Sequence, residues 1–209
     1  MKAAIRTGLQ LRARVSALVR DRRGAAATEF AFIVPIMLGV FLAAVELSRA
    51  VTVFRRVQEI ASTTADLVAR SEKNISTSDV SDIMQVAGFL LGEFSTTPLT
   101  VAVRNVTSAV TDAADTKESW KCTNPTTSGG SASCTCPNTT YTLPAAGLVE
   151  VNDSVVVTEV SYSYQPLFAD LIIGSSFLGD GGLFRMRGLA YFKPRGQAAK
   201  LNFPDGATC

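Results

Sequence analysis

The chain has 209 residues, 47% of them hydrophobic and 18% charged, and it contains no histidine. That length can bury a real core, while the charge fraction falls below the roughly 25% of soluble domains and points to membrane or extracytoplasmic use. Lack of histidine removes Ser-His-Asp and Cys-His nucleophiles, His-ligated zinc and the ordinary neutral-pH base, which argues against an enzyme.

The net charge of +2 is unevenly spread. Residues 1–24 hold seven basic side chains (Lys2, Arg6, Arg12, Arg14, Arg20, Arg22, Arg23) against Asp21 alone, or 7 − 1 = +6, so the remainder carries 2 − 6 = −4. This basic block has no aromatic or glycine pattern for stacking bases and abuts the most apolar stretch of the chain. It therefore reads as a topology signal and not as a nucleic-acid site.

From Ala25 to Val45 the one charged residue is Glu29, and Phe30–Val45 is continuously apolar. A spanning helix needs about 20 largely apolar residues, so 25–45 is long enough to cross a bilayer once. The positive-inside rule places residues 1–24 in the cytoplasm and the rest outside it. Pro35 removes a backbone donor and should kink the helix, freeing the carbonyl of Ala31. Glu29 needs a partner, because a carboxylate at the edge of the hydrocarbon costs about 2–3 kcal/mol.

The segment Arg22-Arg23-Gly24-Ala25-Ala26-Ala27-Thr28-Glu29-Phe30 resembles the processing site of type IV prepilins, specifically the TadE-like pseudopilins of tight-adherence (Flp) pilus systems. Phe30-Ala-Phe-Ile-Val-Pro35 and Val45-Glu-Leu-Ser-Arg49 look like the same family. The resemblance implies that a prepilin peptidase cuts after Gly24, making Ala25 the new N-terminus and Glu29 the fifth mature residue. It also implies that Glu29 of one subunit pairs with the Ala25 amine of a neighbour. Such pairing compensates two charges in an apolar setting and so sets register. Ala25, Ala26, Ala27 and Gly39 allow close approach of helices.

Past the span, Leu47, Val51, Phe54, Val57, Ala61, Leu67 and Val68 recur at helical spacing with polar residues between them. One helix from Ala25 to Arg70 would be about 69 Å long at about 1.5 Å per residue. A second helix is expected at 79–94, capped by Ser78 and stopped before Pro98. Leu99–Asn105 alternates as a strand, and so do Ser154–Tyr164 and Leu183–Phe192. A short helix is expected at 167–173, with a glycine-rich loop at 179–182 that lacks any phosphate-binding pattern. The aromatics Tyr162, Tyr164, Tyr191 and Phe192 read as sheet packing. Tyr-x-Tyr-x-Pro at 162–166 and Lys193-Pro-Arg195 also look like larger TadE-like proteins.

Residues 112–147 read as a long polar insert holding Trp120 and three of the four cysteines. Cys122, Cys134, Cys136 and Cys209 all fall on the extracytoplasmic side, where disulfides are favoured. Cys134 and Cys136 are too close to bond each other easily, so one is expected to pair with Cys122 and one with Cys209. The cysteine spacing lacks a zinc knuckle, so no metal or other cofactor is expected.

Together these features give an α+β protein in three parts. Residues 1–24 form a basic prepilin-like leader. Residues 25–70 form a long helix, transmembrane over 25–45. Residues 71–209 form an extracytoplasmic head with a small antiparallel sheet and a disulfide-stapled insert. The expected function is that of a pseudopilin or minor pilin in a tight-adherence pilus system, supporting pilus biogenesis, adhesion or secretion. Its expected partners are a prepilin peptidase, other pilins, the inner-membrane assembly platform and membrane lipid. The expected place is the inner membrane, single-pass, with the N-terminus cytoplasmic, the head periplasmic, and association with a pilus. The competing reading is a single-pass membrane-anchored extracytoplasmic binding module that never enters a filament.

Overall fold

A computed structural model describes residues 24–71, 75–96, 98–124, 131–145, 147–168, 183–195 and 202. Two compact units divide the chain, Met1–Val45 and Glu46–Cys209. Helix α1 (Ala25–Arg70) contributes to both. The basic leader up to Arg23, the segment expected as a helix beyond residue 168, the glycine-rich loop and Cys209 lie outside the described residues.

In the first unit α1 is apolar and outward-facing at the same time. Phe32 is 78% and Ile36 69% exposed, and none of the most apolar window is buried inside the molecule. A helix that is apolar around its circumference and has no protein covering it is a candidate membrane span. Pro35 lies inside the helix without ending it.

In the second unit α1 becomes amphipathic. Val53, Val57, Ile60, Ala61, Ala65, Val68 and Ala69 form a buried stripe at helical spacing, and they join one core with the sheet and the next helix. The helix closes with Ser71 N donating to Val68 O, and Arg195 N donates to the otherwise orphaned Ala69 O at 2.8 Å.

Helix α2 (Thr77–Leu91) starts two residues earlier than the sequence suggests and ends three residues sooner. Ser76, not Ser78, is its cap. Asp79 N donates to Ser76 Oγ, and Ser76 N donates to Asp79 Oδ2, each at 3.0 Å, completing a capping box. These bonds hold the exposed Asp79 carboxyl below its ordinary value. The helix stops where Arg56 Nη1 donates to Leu91 O at 2.8 Å and to Leu90 O at 3.3 Å. Gly92 follows with φ +70°, and a Cβ there would sit 2.1 Å from Arg56 Nη1. Only glycine gives both that backbone turn and room for the guanidinium.

The sheet has six strands among the described residues: β1 (Leu99–Ser108), β2 (Thr116–Thr123), β3 (Ser133–Thr135), β4 (Thr139–Thr140), β5 (Ser154–Tyr164) and β6 (Phe184–Phe192). Their order is β3-β2-β1-β5-β6, with β4 also on β2, and every pairing is antiparallel. One face, with Val101, Val103, Trp120, Val160 and Ala190, packs in the same core as α1 and α2. The other carries a smaller cluster of Val106, Val149, Val155 and Val157.

The expected polar insert is corrected here, because β2, β3 and β4 all lie inside it. Strand β2 alternates buried and less buried positions, but its buried residues are Thr116, Glu118, Trp120 and Cys122. Two of those four are polar, so the strand lacks an aliphatic signature. Glu118 is buried because Arg104 on β1 reaches it, with Nε 3.3 Å from Oε1.

Candidate functional site

Gly24 is exposed, directly before α1, and a Cβ added there would meet nothing within 4 Å. Ala25 begins the helix. Glu29 lies one helical turn on, exposed, just past a first turn that holds no acidic residue. No ion pair joins Glu29 to any other described residue. Gly24 and the Glu29 carboxylate are thus both exposed among the described residues. Pro35 and Gly39 follow within the same exposed helix, with open space around Gly39.

A second constellation gathers at Glu46. The Tyr164 hydroxyl donates to Glu46 Oε1 at 2.6 Å, and Leu167 N donates to the same oxygen at 3.1 Å. Glu46 Oε2 is buried and has no hydrogen-bond partner among the described residues. Burial, then the bond and charge of Glu46, push the Tyr164 phenol up to about 12. The Phe94 ring meets two guanidinium groups, Arg49 at 5.8 Å and Arg56 at 5.6 Å from its centre. The sequence marks Glu46 and Tyr164 in separate motifs and reads the tyrosine as sheet packing. Tyr164 does pack in the core, and its hydroxyl also fixes the start of the head's portion of α1.

On the outer sheet face Arg104 bridges two carboxylates, with Nη1 donating to Glu159 Oε2 at 2.7 Å. Burial alone would lower the guanidinium pKa. The Glu159 bond and the charges of Glu159 and Glu118 outweigh burial and hold it above its ordinary value. Arg187 adds a further pair to Glu159. These ion pairs tie β1, β2, β5 and β6 together. A neighbouring open depression of about 430 Å³ is lined by Asp112, Thr116, Tyr141, Leu143 and Leu148. Its carboxylate is engaged in a local turn, with Ala114 N donating to Asp112 Oδ1. No cluster of three or more metal-ligating side chains is present among the described residues.

Cys122 and Cys134 face each other across β2 and β3 and form a disulfide. Cys136 is also disulfide-bonded. Among the cysteines, Cys209 falls outside the described residues.

Residues 24–66 match the family model described as TadE-like protein. The match begins at the glycine before α1 and ends within that helix, short of α2. No curated protein and no solved structure matches the chain.

Proposed function

We propose that this protein is a pseudopilin or minor pilin of a tight-adherence pilus system, cut after Gly24 by a prepilin peptidase. The TadE-like match supports a pilus-related structural role. The observation that carries the finer reading is the exposed helical start at Gly24, running into an uncovered apolar helix that holds an exposed carboxylate at Glu29 with no ion pair among the described residues. A basic leader keeps the uncut chain in the inner membrane with its N-terminus in the cytoplasm and its head in the periplasm. Cleavage makes an ammonium at Ala25. In an assembling bundle that ammonium neutralises Glu29 of the neighbouring subunit, so charge complementarity sets the axial register. Residues from Val53 onward build the head's core, which ties the packed helix to whatever surface the head presents.

The test is the mass of the N-terminal peptide from cells with and without an active prepilin peptidase. A mature chain starting at Ala25 only in the first supports the reading. Retention of residues 1–24 in both would replace it with the anchored binding module.

A further inference from the structure

We propose that the head makes a second contact with the bilayer, through an apolar rim beside Glu46 whose ligand is the lipid surface itself. This rests on residues 25–45 being the membrane span. Glu46 is the next residue along α1 after that apolar stretch, and two donors from the end of β5 and the turn after it converge on its Oε1. One is Leu167, held by its own N–H. The other is Tyr164, whose register partner on the edge strand β6 is Phe184. The side chains around this anchor are apolar and uncovered: Leu47 is 65% exposed, Leu167 62% and Phe184 47%, with Leu183 beside it 38% exposed. Covalent continuity with the span places the anchor of this rim at the membrane boundary. Apolar side chains there bury into the zone between headgroups and acyl chains. Arg49, beside the Phe94 ring, and Arg185 lie two and one residues from Leu47 and Phe184, so positive charge flanks the apolar rim. The rim thus fits a lipid surface in both its apolar and its charged parts.

The experiment uses the full chain in vesicles of phosphatidylethanolamine and phosphatidylglycerol, with p-benzoyl-phenylalanine introduced singly by Leu167→Bpa, Phe184→Bpa, Phe89→Bpa and Ile36→Bpa. Phe89 is an exposed head residue on α2 at 81%, and Ile36 reports on the span. After irradiation, lipid adducts are counted by mass. Yields at 167 and 184 should match that at 36 and exceed that at 89 about tenfold, because partitioned side chains stay in contact with lipid. Adducts at 36 with none at 167 and 184 would overturn the rim contact and leave the span standing. Crosslinks at 167 and 184 to protein instead of lipid would also overturn it. No lipid adduct even at 36 would remove the span, and the rim contact with it.

Discussion

Tyr164 and Glu46 are separated by 118 positions in the chain, yet the phenol donates to the carboxylate at 2.6 Å. The bond joins the last residue of β5 to the first head residue of α1, so the helix enters the head at a fixed point. Both groups are partly or wholly withdrawn from water, which makes the pairing stronger and its loss more costly.

Tyr164→Phe should cost about 1.5–3 kcal/mol, the range for a hydrogen bond to a charged group. It should also change the alkaline limb of stability. The folded phenol is pushed up to about 12 from an ordinary value of 10.0, so the fold favours its protonated form. The resulting stability is complete below pH 10 and is lost as pH rises through about 12. Denaturant titrations across that window should show a steeper decline in the wild type than in the variant. Parallel declines would disprove the linkage.

Gly188 lies where β6 crosses α1, and a Cβ there would stand 2.7 Å from the backbone oxygen of Val57. Backbone cannot swing aside as a side chain does, so Gly188→Val should destabilise the head by about 1–3 kcal/mol through overpacking. The urea midpoint of the variant is the measurement.

Replacing both Cys122 and Cys134 with alanine should cost on the order of 3 kcal/mol, the entropy gained by the unfolded chain when a loop of about a dozen residues is released. In the wild type, peptide mapping without reductant should find Cys122 joined to Cys134 and Cys136 joined to Cys209. A thiol reagent that labels Cys136 or Cys209 in the unfolded, unreduced wild type would refute the second pairing.

Gly24→Leu and Glu29→Ala should fail at different steps. Space around Gly24 is open, so leucine fits the fold and any loss of processing reflects the peptidase's need for a small residue. Glu29→Ala leaves the scissile bond intact and should be cut normally. It should then co-purify poorly with partner pilins, because breaking a buried pair costs about 3–5 kcal/mol. Normal co-purification of the cleaved variant would exclude the pairing role.

Helix α1 was legible from its residues because a continuous apolar run passes into a periodic stripe with no break after Pro35. Strand β5 was legible for a similar reason, with Val156, Val160, Tyr162 and Tyr164 marking one buried face and Val155 and Val157 the other. Strand β2 was not, because Glu118 is buried only through Arg104, a partner supplied by another strand. The start of α2 was half visible. Ser76 and Ser78 both suit a cap, and the Ser76-x-x-Asp79 spacing that decides between them is a local signal. At the candidate site, Gly24 and Glu29 stand out in sequence because a glycine and a lone carboxylate at the head of an apolar run are a local signal. The Glu46–Tyr164 bond is created by tertiary folding, and nothing near either residue announces it.

Among the described residues, the bonds of helix α1 to the rest of the head include Glu46 to Tyr164, Arg56 to the carbonyls that end α2, Gln58 Nε2 to Arg187 O on β6 at 3.1 Å, and Ala69 O to Arg195 N after β6. Force applied along α1 is therefore divided among several anchors that resist in shear, each tied to a different element.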